Sequence, residues 1–168
     1  QDLTPGNVPP RQLFEQALER SNRFSVDCTI MTGDIIHFPA RAAVEIIERG
    51  VDALRAPYLY TLGNHDWHFP YLPRNDATRL EFYSRLAHLA GHSPAAQVMT
   101  LGGARLVALD NSNYQVTDEQ LEFLYRQLQT GEPCLLFLHI PLYTPTLAPP
   151  VLGNWKIPIM MAAPGWTE

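Results

Sequence analysis

Three polar clusters in this 168-residue sequence each follow a short apolar run directly: Gly33-Asp34, Gly63-Asn64-His65-Asp66 and His139. The middle cluster packs a neutral oxygen donor, an imidazole and a carboxylate into one turn, types that serve metal ligation and proton transfer alike. Singly, each signal is weak. A Gly-Asp pair is more often a turn, an Asn-Asp-rich turn makes Asx hydrogen bonds, and a lone strand-end histidine is more often simply hydrogen-bonded in place. The ordered set of three favours a site, because the carboxyl edge of an open α/β sheet is where ligands bind.

That edge has to be built by the rest of the chain. Residues 10–22 place Leu13, Phe14, Ala17 and Leu18 on one helical face, which predicts a first helix. Residues 26–31 and 57–62 are short, apolar and rich in β-formers, and they bracket a second helical pattern over 40–49 with a stop or kink at Gly50. Strand, helix, strand implies a right-handed parallel crossover, delivering Asp34 and Asn64 to one edge. A third helix is expected over 75–90, carrying Leu80, Phe82, Leu86 and Leu89. A hairpin is expected across Gly102-Gly103-Ala104, and Asp110-Asn111-Ser112-Asn113 after it is read as a turn with no ligand role. Thr117-Asp118-Glu119-Gln120 fits a capping box ahead of Leu121, Leu124, Tyr125 and Leu128, and residues 134–138 form the strand that delivers His139. Prolines 145, 149, 150, 158 and 164 predict an irregular loop over residues 141–168.

The totals set bounds. The length suits a single domain spanning 1–168, and 46% hydrophobic with 17% charged residues fits a folded chain. A formal net charge of -5 with 12 basic residues gives no basic cluster, so nucleic-acid binding is not indicated. No apolar run nears the roughly 18 residues of a membrane span. Cys28 and Cys134 lie in apolar runs and are expected to pack as small hydrophobes, which does not separate the cytoplasm from an oxidising compartment. The expectation is a soluble chain, the cytoplasm slightly favoured.

With these residues in place, the sequence resembles the calcineurin-like metallophosphoesterase superfamily, whose pattern is Asp-x-His, Gly-Asp, Gly-Asn-His-Asp or Glu, a strand-end His, and Gly-His-x-His. Thr32-Gly33-Asp34 and Leu62-Gly63-Asn64-His65-Asp66 match without substitution. The resemblance implies a layered α/β/β/α sandwich and metal-dependent hydrolysis of a phosphomonoester or phosphodiester substrate. By the same resemblance, Asp34 bridges two divalent metals, and Asn64 and His139 ligate the second. His65 assists the leaving group, Asp66 holds the tautomer and orientation of His65, and a metal-bound hydroxide attacks. The mixed oxygen and nitrogen donors suit Mn, Fe or Zn better than Ca or Mg. His37 and His68 are candidate substrate contacts, and Trp67, Phe69 and Tyr71 a candidate apolar wall, with solvated histidines and packed aromatics as the competing readings.

Two motifs are missing from their places: no Asp-x-His precedes Gly33-Asp34, the one such triplet being Asp66-Trp67-His68 inside the second cluster, and no His-x-His occurs. The expectation is a domain cut short at both ends, holding at most one weakly bound metal and hydrolysing feebly or not at all, while the full-length protein carries two. The alternative is an inactive protein-binding module on the same fold. The blandest reading is an α/β domain whose polar strand ends are structural.

Overall fold

The computed structural model describes residues 5–162. After a short 3-10 turn at Pro5–Asn7, the elements run α1 (Pro10–Phe24), β1 (Thr29–Met31), α2 (Arg41–Asp52), β2 (Tyr58–Tyr60), α3 (Asn64–Trp67) and α4 (Asp76–Leu86). Then come β3 (Ala96–Leu101), β4 (Ala104–Leu109), α5 (Asp118–Leu128), β5 (Cys134–Phe137) and α6 (Ala148–Trp155).

Two sheets form. β1 and β2 pair in parallel with Thr29 opposite Tyr58, as the crossover pattern requires. The second sheet has the order β3-β4-β5, its first pair antiparallel and its second parallel. Parallel pairing has a direct consequence for function. Asp34 and Asn64 leave β1 and β2 on one edge, and residues 110–113 and His139 leave β4 and β5 on one edge. The sheets are tied together near those edges, where Thr61 Oγ1 donates to the Leu109 carbonyl at 3.0 Å and Gln97 Nε2 to the Tyr60 carbonyl at 2.7 Å.

The main core joins Met31, Tyr60 and Leu62 to Val44, Ile47 and Val51 of α2 and to Phe82 and Leu86 of α4. Full burial of a side chain such as Ile47 contributes roughly 1.5–3 kcal/mol relative to exposure. α2 does not stop at Gly50 as expected but runs through it to Asp52. The glycine there serves helix contact: a Cβ would stand 2.6 Å from Phe14 Cε1 and 2.7 Å from Leu18 Cδ1 of α1.

Three further expectations are corrected. Leu80 lies on the exposed side of α4 at 62% accessibility, while Arg79 is buried in an ion-pair network with Asp76 and Asp110. α5 has its capping box, Gln120 N to Thr117 Oγ1 at 3.3 Å and Thr117 N to Gln120 Oε1 at 2.8 Å. Yet Leu121, Tyr125 and Leu128 face outward, and the helix is anchored by buried Gln120, which donates to the carbonyls of Ala95 and Asp110. Finally, the proline-rich region contains α6, because Pro149 and Pro150 fall in its first turn, where their missing amides have no helical partner to lose. Residues 163–168 of that expected loop lie outside the described residues. Cys28 and Cys134 are free and half-buried. Among the described residues, no helix is long and apolar enough to cross a membrane.

Candidate functional site

The backbone around Asp34 is folded to a tolerance that only glycines meet. Gly33 has φ 91° and Asp34 φ 54°, so the chain turns through two consecutive left-handed residues as it leaves β1. Left-handed backbone is uncommon outside glycine, though Asp and Asn enter it more readily than most, and such conformations gather at functional sites. A Cβ on Gly33 would lie 2.5 Å from Gly63 N and 2.6 Å from His139 Nδ1. One on Gly63 would collide with Asp34 N and Oδ1. All three strand ends therefore meet at this pair of glycines.

Asp66 fastens the first two. Its Oδ2 accepts from Asp34 N at 2.9 Å and Gly63 N at 2.7 Å, and its Oδ1 from Ile36 N at 3.1 Å. Wholly buried, it is pushed up to about 6 by burial, despite those amides. This corrects the orienting role expected of it. No hydrogen bond among the described residues joins Asp66 to the His65 ring. That ring is stacked instead on His37, with centroids 4.9 Å apart and planes inclined by 25°.

The candidate ligands converge. His139 Nε2 lies 3.3 Å from Asn64 Oδ1 and 3.4 Å from Asp34 Oδ1. His139 Nδ1 lies 2.9 Å from the Thr32 carbonyl. A carbonyl only accepts, so Nδ1 donates to Thr32; Nε2 donates toward Asp34 and Asn64 while the ring is charged, and offers its lone pair to a cation once that proton is displaced. Burial of that ring opposes its charge, but hydrogen bonding and attraction from Asp34 outweigh it, and His139 titrates above its ordinary value. Reciprocally, burial opposes ionisation of Asp34, yet the His139 hydrogen bond and the His65 amide outweigh it and hold this carboxyl below its ordinary value.

Donor chemistry and spacing here fit a divalent cation. Separations of 3.3–3.4 Å are those of neighbouring ligand atoms on one ion with bonds of about 2.0–2.2 Å. The set is sparse, however: among the described residues, no three His, Cys, Asp or Glu side chains gather into a metal-holding group.

His139 is itself held by a residue that sequence reasoning set aside. Fully buried Asn111 accepts from the amides of His139 at 3.1 Å and Ile140 at 3.0 Å through Oδ1, and donates to the Ile140 carbonyl at 2.7 Å. The run 110–113 is a turn as expected, but its second residue clamps the His139 loop. Its signal was positional: it ends a strand that runs parallel to the one delivering His139.

The remaining candidates divide. His37 is exposed and joins the site through His65. His68 is not brought to the donors; its Nε2 is tied to the Leu72 carbonyl at 2.8 Å within its own loop. Trp67 is no wall but core, wholly buried with Nε1 donating to Ser112 Oγ at 2.7 Å. Phe69 packs edge-on against Phe82 of the core, and Tyr71, at 77% exposure, rests on Phe69.

The chain is 28% identical over 135 residues to the 3',5'-cyclic adenosine monophosphate phosphodiesterase CpdA of Escherichia coli strain K12, and equally to that of Escherichia coli O157:H7. The match covers 75% of this chain and 45% of each relative, so the chain spans about half the length of the curated relatives it matches. In structure it is similar to a dimetal phosphatase from Danio rerio, with a TM-score of 0.56, 18% identity, and coverage of 79% of this chain and 60% of that one. That likeness gives the fold, the α/β architecture of metallophosphoesterases. Residues 9–158, containing every strand end described above, match the calcineurin-like phosphoesterase family, and the chain belongs to it.

Proposed function

We propose that the protein containing this chain hydrolyses a phosphoester, a phosphomonoester or phosphodiester, with the strand-end residues of this chain holding divalent metal and orienting the leaving group. The observation that carries the reading is the convergence of Asp34 Oδ1, Asn64 Oδ1 and His139 Nε2 beside a histidine held by stacking. A divalent ion bound there supplies Lewis-acid polarisation of the phosphoryl oxygen and an acidified water. Asp34 contributes the negative charge of the donor set. Asn64 and His139 contribute neutral donors, His139 in the tautomer fixed by Thr32. In this reading the His65 ring gives a proton to the departing oxygen, a role supported by its stacking on His37, which, rather than Asp66, fixes the plane of that ring. Asp66 acts one step back, setting the Asp34 and Gly63 backbone through three amides.

Phosphate or alcohol release from bis-p-nitrophenyl phosphate and p-nitrophenyl phosphate with added Mn tests the proposal on the full-length protein. Activity lost on Asp34→Asn is the expected result; no hydrolysis of either ester with Mn, Fe or Zn overturns it. A second reading, a binding module on the same fold, draws on the sparse donor set. Metal titration separates the two, since tight binding at two sites in the full-length protein ends the second. For the 168-residue chain alone the expectation is one weakly held ion and little turnover.

A further inference from the structure

The loop that carries Asp34 has a second side. Immediately past that residue, Ile35, Ile36 and Phe38 turn toward α1 and α2 and enclose, with Phe14, Ala43 and Ile46, a cleft of about 220 Å³. An apolar cavity of about 150 Å³ is enough to take a benzene ring, so this one has room for a single ring or a short branched chain. Its lining is hydrocarbon apart from His37 and Arg11, and Arg11 is already engaged, with Nε 2.7 Å from Glu15 Oε1. A phosphate finds no free cation among those liners, whereas an uncharged organic group finds apolar walls on several sides.

The cleft is joined to the chemistry through two contacts. His37 forms one of its walls and stacks on His65, the residue assigned to the leaving group. Ile36 forms another, and its amide is held by Asp66, the carboxylate that also fixes Asp34. The cleft and His65 thus share His37 as a common neighbour.

Resting on the phosphoesterase reading above, we propose that this cleft is the subsite for the apolar organic group of the phosphoester, a single aromatic ring or a short alkyl chain, with His37 as the wall shared between that group and His65. The site then favours apolar over polar alcohols of equal size, because a polar terminus entering the cleft loses its water against walls that are hydrocarbon except at His37 and Arg11.

The test uses the full-length protein with Mn and two esters of matched length and closely similar leaving-group acidity, n-butyl phosphate and 3-hydroxypropyl phosphate. The expected result is a kcat/KM ratio of about ten or more in favour of the butyl ester. That ratio should fall toward one in Ala43→Phe, which fills the cleft, and decline in Phe38→Ala, which opens its wall. Hydrolysis of both esters at equal rates in the wild type overturns the subsite while leaving the phosphoesterase reading intact. A parallel binding measurement needs no turnover: the fluorine resonance of 4,4,4-trifluorobutylphosphonate should shift and broaden on binding, and revert in Ala43→Phe. If neither ester is hydrolysed, a cleft-dependent shift still upholds the subsite. An unshifted line overturns it.

Discussion

The Asp34 and Asn64 loops are bound to each other by one carboxylate that takes three amides, whereas the His139 loop is bound by one carboxamide from the neighbouring strand end of its own sheet. The first brace lies inside the motif it supports, since Asp66 follows Asn64 by two residues. The second lies 28 residues from His139. Both solve one problem: the strand ends must expose donor atoms without leaving buried backbone amides unpaired. They differ in what their loss should cost, because Asp66 holds backbone at two strand ends and Asn111 at one.

Asp66→Ala should be the most damaging change, orphaning the amides of Asp34, Ile36 and Gly63 at a cost of about 4 kcal/mol. A melting experiment should register this as a fall in Tm of about 10 °C. Gly63→Ala should follow at about 3 kcal/mol, because its Cβ overlaps Asp34 itself; a variant melting like the wild type would dissolve the idea that this contact forces glycine. Asn111→Ala should cost about 2 kcal/mol in stability and lower metal affinity about ten- to a hundred-fold by freeing His139. Calorimetric titration with Mn reads that loss directly, and unchanged affinity would reduce Asn111 to a turn residue.

Acidity offers a gentler probe of the joint between the two braces. With metal chelated, the Asp34–His139 attraction is complete only between the two titrations. Because His139 is raised, its contribution is fully present below the ordinary histidine value and is lost as pH rises through the value in the folded chain. Because Asp34 is lowered, its contribution is present above the ordinary carboxylate value and is lost as pH falls through the folded one. His139→Ala should therefore flatten the alkaline decline in stability and also weaken the acid one, since Asp34 loses the hydrogen bond and attraction that hold it low. Metal binding should strengthen as pH rises through the same histidine titration, since the ion displaces that proton. The smallest effect is expected at Leu121→Ala, within about 0.5 kcal/mol, because that side chain is 49% exposed despite its place in an apolar stripe.

Much of the fold was legible because local rules and tertiary demands coincided. β1 and β2, the hairpin, the capping box and the delivery of His139 all follow from period, turn chemistry and strand order. α5 was legible as a helix but not in its orientation: its capping box is local, while the choice of buried Gln120 over Leu121 and Tyr125 depends on carbonyls at Ala95 and Asp110. Gly50 misled for a similar reason, since a helix stop and a close helix contact ask for the same residue. In the site, the meeting of Asp34, Asn64 and His139 was legible because strand ends converge. Asp66 was found in the wrong role, because adjacency to His65 in sequence says nothing of where a side chain on a tight turn points. Asn111 went unassigned because its partners lie on another strand.

Trp67 gives the molecule an optical property. Its indole is sealed from solvent, sits two residues past His65, and donates to Ser112 at the end of β4, so it spans the seam between the two sheets beneath the donor atoms. Trp155, by contrast, is 62% exposed. Among the described tryptophans, blue-edge emission that resists iodide quenching therefore belongs to the seam, which in a Trp166→Phe variant makes opening of that seam visible in real time without an added dye.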